Sequence, residues 1–105
     1  MDKINTIIDQ LEIVKAKDIK VFNLSGQSPY YDYFIIATTT DRQSSAAVSY
    51  IKKAIDAKEI KQVEGFGTSW LLLDCYDVII HLFHEEDRQF YNLDERLIEF
   101  LHESK

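Results

Sequence analysis

Residues 70–83 read WLLLDCYDVIIHLF, and this run decides the fold because most of it is apolar or aromatic. The pattern divides at Cys75-Tyr76-Asp77, which predicts two strands, residues 69–74 and 77–83, joined by a tight turn as an antiparallel hairpin. Runs with so little polar face are typical of strands that are covered on both sides. The run therefore predicts two strands of a largely buried sheet.

The rest of the chain alternates between helix and strand patterns. Apolar residues three and four apart predict helices, and β-branched or aromatic runs predict strands. Thr40 and Gln43 have the spacing of a capping box, which predicts a helix beginning at Asp41. With the hairpin included, the predicted order is α-β-β-α-β-β-β-α. The predicted segments outside the hairpin are residues 4–11 (helix), 18–24 and 31–39 (strands), 41–58 (helix), 60–65 (strand) and 85–101 (a short helical turn, then a helix whose apolar stripe is Leu93, Leu97, Phe100 and Leu101).

Length and composition are those of an ordered globular protein. The chain has 105 residues, of which 46% are hydrophobic and 29% charged. That length holds one hydrophobic core rather than two. We therefore predict a single α/β (α+β) domain over residues 1–105, with a mixed sheet of about five strands packed by helices. The N-terminal residues lack a signal-like apolar segment and no run is long enough to span a bilayer, so a cytoplasmic protein with no membrane partner is predicted.

Charge is distributed unevenly along the chain. Residues 1–58 hold eight Lys or Arg against seven Asp or Glu, whereas residues 59–105 hold four against eleven. That balance predicts little direct nucleic-acid binding, which needs clustered basic residues, and it suits a basic protein partner. The one cysteine, Cys75, excludes an internal disulfide and a cysteine-rich zinc site, so a reducing compartment is expected.

The spacing of the polar residues argues against catalysis. Residues three apart on a strand point to opposite faces, so His81 and His84 diverge unless the strand ends between them, and no shared metal is predicted. Asp74 and Asp77 flank a turn, and Asp32 has no second acid two residues away, so the paired carboxylates of a nucleotidyltransferase are missing. No nucleophile elbow or complete glycine-rich phosphate loop occurs. We predict no enzyme activity, no metal and no cofactor, with a nucleotidyltransferase-type enzyme as the alternative.

Trp70 introduces a binding hypothesis. It alternates with Leu72 on one face of its strand, beside a strand that carries His81 and Phe83. An apolar patch rimmed by acids is the expected form of a protein-binding face. Helices on both faces of the sheet would instead make these residues core, and the pattern alone leaves both readings open.

Six blocks, YDYFIIAT, DRQ, VEG, WLLLD, DVIIHLFH and RQFYNLDERL, occur in this order within residues 31–97. In order and spacing they resemble the ribosomal silencing factor family, also called the Iojap family. The resemblance implies a nucleotidyltransferase-like fold without the catalytic acids. It also implies a translational repressor that binds the large ribosomal subunit at its fourteenth protein on the intersubunit face. Such a repressor sterically blocks joining of the small subunit and lowers protein synthesis under nutrient limitation.

The resemblance also implies where the partner binds. By position, the family's hairpin tryptophan is Trp70 and the histidine of its second strand is His81, and substitutions at both are expected to leave the domain folded but poorly bound. A homodimer of the free protein through the same apolar face is a further alternative. The implied partner-binding residues are Trp70, Leu72, Asp77, His81, Phe83, His84, Glu85, Arg88 and Tyr91.

Two departures from the family pattern carry expectations of their own. The segment ATTTDRQ, residues 37–43, is one residue shorter than the usual Thr-Gly-Thr-Ser form and lacks its glycine, which predicts a different start for the helix. Tyr76 stands where glycine is common, so the hairpin turn is predicted to form without a glycine at positive φ.

Overall fold

Five strands form one mixed sheet in the order β1-β2-β5-β4-β3. The structure is a computed structural model that describes residues 2–102, so the ends of the predicted domain at 1 and 105 lie outside the described residues. Neighbouring strands are antiparallel except β2 and β5, which are parallel. The predicted mixed sheet and the hairpin are confirmed. The strands are β1 (Lys17–Asn23), β2 (Tyr33–Thr38), β3 (Gln62–Glu64), β4 (Trp70–Cys75) and β5 (Val78–Phe83).

Two helices, α1 (Asp2–Ile13) and α2 (Asp41–Ala54), cover the first face of the sheet. Alternate residues of each strand point toward them, which is why every second residue of β4 is buried. Burial of each Leu or Ile side chain here stabilises the fold by about 1.5–3 kcal/mol. This core contains Ile4, Ile7, Ile8, Leu11, Val21, Ile35, Ala37, Ala47, Val48, Ile51, Leu71, Leu73, Cys75, Val78, Ile80 and Leu82.

The start of α2 confirms the predicted capping box. Thr40 Oγ1 accepts from the Gln43 N–H at 3.2 Å, and Gln43 Oε1 accepts from the Thr40 N–H at 3.0 Å. The missing glycine therefore does not prevent a normal helix start. The predicted end near residue 58 was wrong, because α2 stops at Ala54. The Asp56 carboxylate accepts from the Lys58 N–H at 2.9 Å, and this local bond starts a separate 3₁₀ turn, Ala57–Glu59.

The C-terminal segment covers part of the second face of the sheet. It consists of α3 (Glu85–Tyr91), α4 (Leu93–Arg96) and a 3₁₀ turn, Ile98–Phe100. The predicted short helical turn corresponds to α3, which Asn92, in the left-handed conformation at φ 52°, separates from α4. The helix predicted over the apolar stripe was wrong in its extent, because α4 ends at Arg96, Leu97 leaves the helical conformation at φ −109° and ψ 13°, and a 3₁₀ turn follows. The stripe was nevertheless placed correctly: Leu93, Leu97, Phe100 and Leu101 pack against Phe22, Ile36 and Phe83.

The hairpin turn adopts a positive φ without a glycine. Tyr76 has φ 67°, and its N–H donates to Asp74 Oδ1 at 2.9 Å. The turn therefore forms without glycine, as predicted, but the backbone still takes the left-handed conformation that glycine adopts freely. For a residue with a side chain that conformation costs roughly 1–2 kcal/mol.

A candidate partner-binding face

The second face of the sheet is covered over only part of its area. On this face Trp70 lies opposite Phe83, Leu72 opposite His81, and Asp74 opposite Ile79. The C-terminal segment packs over Phe83 but leaves Trp70, Leu72 and Asp74 of β4 only partly buried. The structure thus lies between the two alternatives from the sequence, because the C-terminal segment covers part of the second face and leaves a strip along β4 facing outward.

A line of aromatic rings crosses this strip. The rings come from β2, β4, β5 and α3 and from the loop before β2, so distant parts of the sequence supply one surface. At its α3 end the line is well exposed, since Phe90 is 79% and Tyr91 37% accessible. We call it the aromatic row; its successive centroid distances are Tyr31–Phe34 4.9 Å, Phe34–His81 4.6 Å, His81–Trp70 5.9 Å, Trp70–Tyr91 4.7 Å and Tyr91–Phe90 5.1 Å.

His81 holds the indole of Trp70 in place. Trp70 Nε1 donates to His81 Nδ1 at 3.1 Å. Because an indole N–H can only donate, Nδ1 must be the acceptor, and the ring proton of neutral His81 lies on Nε2. The His81 side chain is only 4% exposed, and this burial lowers its pKa to about 4. Within residues 2–102 its Nε2 has no hydrogen-bond partner. His81 is thus a neutral, buried acceptor that orients Trp70.

A buried arginine fastens α3 to the sheet. Arg88 donates to both carboxylate oxygens of Asp94, at 3.1 and 2.7 Å, and its Nη1 donates to the Asp18 carbonyl at 2.7 Å and to Thr38 Oγ1 at 3.0 Å. Burial opposes the charged form of Asp94, but the hydrogen bonds and charge of Arg88 outweigh it, so the pKa of Asp94 is lowered. We call these four residues the Arg88 clasp. Three residues beyond Arg88, Tyr91 is held against Trp70.

Acidic side chains border the α3 end of the aromatic row. The first turn of α3 contains Glu85, Glu86 and Asp87, and negative charge at this end of a helix is stabilised by the helix dipole. Ser69 Oγ donates to Asp87, which ties this turn to the residue before Trp70. We call these three acids the acidic rim. They place negative charge beside the exposed aromatic rings, as the uneven charge of the sequence predicts.

The nine predicted site residues occupy three kinds of position. His81, Phe83 and Arg88 are buried, so they can serve a partner surface only by positioning their neighbours. Asp77 lies at the far end of the hairpin from Trp70 and pairs with Lys3 Nζ at 2.8 Å. The remaining five are partly or fully exposed beside the aromatic row or the acidic rim: Trp70, Leu72, His84, Glu85 and Tyr91.

Sequence reasoning missed three rings of the row. Tyr31 and Phe34 belong to an ordinary strand pattern, and only the parallel pairing of β2 with β5 brings Phe34 beside His81. Phe90 precedes Tyr91, and this pair of adjacent aromatics so close to acids was the available signal.

His84 pairs with an aspartate, and Cys75 is a buried thiol. His84 Nε2 lies 2.8 Å from Asp41 Oδ1, away from His81, and burial raises the pKa of the Cys75 thiol to about 11. In the described part of the chain, no three His, Cys, Asp or Glu side chains gather as metal ligands. Nor does any helix between residues 2 and 102 have the length and apolar character needed to cross a membrane.

The fold is shared with a solved crystal structure of a protein from Chromobacterium violaceum. The two superpose with a TM-score of 0.83 at 25% identity, over 91% of this chain and 83% of that one. Sequence relatives include the ribosomal silencing factor RsfS of Bacillus subtilis, 36% identical over 77% of this chain and 72% of that protein. A mouse protein named for mitochondrial assembly of the ribosomal large subunit is 29% identical over 88% of this chain and 43% of its own length.

The family model described as "Ribosomal silencing factor during starvation" matches residues 1–99. The fold and the surface define a class of α+β domain whose mixed sheet carries an aromatic row on its partly covered face. The chain belongs to the ribosomal silencing factor family, as its sequence blocks predict.

Proposed function

We propose that this protein represses translation by binding the large ribosomal subunit. It contacts the subunit's fourteenth protein on the intersubunit face, and its bulk there blocks joining of the small subunit. The observation that carries the proposal is Trp70, a partly exposed indole held rigidly by His81, Phe83 and Tyr91 on a chain of the silencing factor family. The name of the mouse relative, which refers to the ribosomal large subunit, supports the same partner.

The physical basis is a rigid apolar anchor next to negative charge. Trp and Tyr supply most of the binding energy in many interfaces, because they bury a large area and lose little conformational entropy. Trp70 and Tyr91 have that form, and their ring contacts fix them before binding. The acidic rim steers a basic protein toward them, since complementary charge acts mainly on the association rate. Binding and repression require no catalysis, and we propose that they take place in the cytoplasm.

Sedimentation of the protein with separated ribosomal subunits tests the partner. The protein is expected to comigrate with large subunits and not with small ones, and less of it should bind as salt is raised. When it is added before the subunits are mixed, the fraction of joined ribosomes should fall. If the protein stays at the top of the gradient with large subunits at low salt, the proposed function is wrong.

Trp70→Ala tests the surface. If Trp70 is a central anchor, its removal should cost about 2 kcal/mol or more, which is roughly a 30-fold loss of affinity for large subunits. Tyr50→Ala is the matched control, because Tyr50 is an exposed aromatic residue of α2 on the opposite side of the sheet. Circular dichroism must show both variants folded. Equal affinity of Trp70→Ala and wild type would remove Trp70 from the surface.

A homodimer through the same face is the competing outcome. Analytical ultracentrifugation of the free protein decides it: a dimer that Trp70→Ala dissociates, together with no binding to large subunits, would assign the aromatic row to self-association.

A further inference from the structure

A second feature of the outward face is a cavity at the turn end of the hairpin, opposite the end where α3 lies. Its volume is about 540 Å³, and Tyr30, Tyr31 and Tyr76 line it together with Asp74 and Ile79. Tyr30 is 81% and Tyr76 52% exposed, so two of the three rings stand largely in solvent. Three tyrosines gathered at one cavity form an apolar surface that the fold itself does not bury.

Tyr76 is placed at this cavity against the preference of its backbone. Its φ of 67° lies in the left-handed region, which glycine and asparagine adopt more easily. The backbone N–H of Tyr76 donates to Asp74 Oδ1, and the ring of Tyr76 projects into solvent. Strained residues of this kind cluster at binding and active sites, where the side chain is needed in that position. The strain at Tyr76 therefore indicates a use for its ring.

The charges around the cavity favour a single cation. Asp77 pairs with Lys3, but in the salt bridges within residues 2–102 Asp74 has no cationic partner. Lys61 also lines the cavity, and because Asp77 is already paired with Lys3, Asp74 is the lining carboxylate left for a partner's cation, which suits a single positive charge rather than a basic cluster. A guanidinium stacks on tyrosine faces and pairs with a carboxylate through its planar donors, which an ammonium does less well. The chemistry thus fits one arginine side chain.

The cavity is continuous with the aromatic row. Tyr31 lines the cavity and contacts Phe34, which contacts His81 beneath Trp70. A partner lying along β4 from Trp70 would reach Asp74 and Tyr76 at the other end of the strand. We propose that this cavity, which we call the tyrosine cavity, receives an arginine side chain of the basic protein that binds the aromatic row. The identity of that protein rests on the proposed function, whereas the choice of an arginine side chain rests on the chemistry of the cavity alone.

Two variants of Tyr76 separate binding from stability. Tyr76→Asn removes the ring and suits the left-handed backbone, so it should raise Tm by about 4 °C or more. The same change should weaken binding to large subunits by about 5-fold or more, because the stacking surface is lost. Tyr76→Phe keeps the ring and the strain, and both its Tm and its affinity should match wild type. A variant that is more stable yet binds less well cannot be explained by unfolding. If Tyr76→Asn binds large subunits as tightly as wild type, the proposal is wrong.

A peptide titration tests the cavity without the ribosome. The probe is acetyl-Gly-Arg-Gly-amide, and the control is the same peptide with citrulline, which has the shape of arginine but no charge. In amide NMR spectra the arginine peptide should cause saturable shifts at Asp74, Tyr76 and Ile79, and citrulline should not. The shifts should be absent in Tyr76→Asn.

The two experiments fail in different ways. Saturable arginine shifts with no binding of wild type to large subunits would sink the proposed function and support the cavity. Equal shifts with citrulline, or no shifts with either peptide, would overturn the proposal that the tyrosine cavity binds arginine, whether or not the protein binds large subunits. A change in oligomeric state in Tyr76→Asn, seen by ultracentrifugation, would assign the cavity to a second copy of this chain and also overturn the proposal.

Discussion

Acidification should destabilise the domain through His81. Burial lowers the pKa of this ring to about 4, whereas the unfolded histidine has its ordinary value of 6.5. Between those two values the unfolded chain binds a proton that the native chain does not. The free energy of unfolding therefore falls as pH drops through this window, and above pH 6.5 His81 has no effect on it.

The size of the effect follows from the difference between the two pKa values. Each pH unit inside the window changes the free energy of unfolding by up to about 1.4 kcal/mol. The loss should reach about 2 kcal/mol by pH 5 and about 3 kcal/mol near pH 4. Asp94 acts in the same direction. Its pKa is lower in the folded protein than in the unfolded chain, so its contribution to stability is lost only as the pH falls below about 4. The range between pH 5 and 6.5 isolates the histidine.

Urea unfolding followed by circular dichroism at about pH 7, 6 and 5 measures this loss. His81→Gln is the control, since it keeps a side-chain acceptor for Trp70 but does not titrate. Its stability should change by about 2 kcal/mol less than that of wild type over the same range. His84 and His102 are present in both proteins, so their contributions cancel. An equal loss in wild type and His81→Gln would refute the assignment of a buried, neutral His81.

Two further predictions concern the clasp and the loop before β4. Asp94→Asn leaves the buried charge of Arg88 with only the exposed Asp18 carboxylate, 3.6 Å away, and should destabilise the fold by about 3 kcal/mol in urea unfolding. Gly65→Ala should lower Tm more than Gly67→Ala, although both glycines have positive φ (85° and 77°), because a Cβ at Gly65 would meet the Trp70 carbonyl and one at Gly67 meets open space.

These two predictions have clear contrary outcomes. Glu95→Gln is the control for the clasp, because Glu95 is an exposed neighbour of Asp94 whose carboxylate accepts from Asn92 at 3.1 Å. A loss in Asp94→Asn no larger than that in Glu95→Gln would mean that the buried ion pair contributes little. Equal Tm values for the two alanine variants would mean that the loop moves freely enough to accommodate a side chain at Gly65.

Local patterns predicted most of the fold. The hairpin, the capping box at Thr40 and the five strands were readable because alternation, caps and turns depend on neighbours in sequence. The end of α4 at Arg96 was not readable, since Leu97 leaves the helical conformation without changing the spacing of the apolar stripe.

The candidate site was less predictable than the fold. Trp70 was predicted from residue type, whereas Tyr91 and Arg88 were predicted from the family resemblance, which did not indicate that Arg88 is buried. Its partners include the Asp18 carbonyl and Thr38, which are 70 and 50 residues away in sequence, and no local pattern shows them. His81 was expected near the surface for the same reason: the rings that bury it come from other strands and from the loop before β2.

The parallel pairing of β2 with β5 has a consequence for synthesis. A chain emerging from its N-terminus completes α1, β1, β2 and α2 well before Val78 begins the strand that β2 needs. Until then β2 has an open edge of unpaired backbone groups, which favours association with other chains. Translation from β2 to β5 is therefore the interval in which a newborn copy of this protein exposes that edge of β2 to other chains.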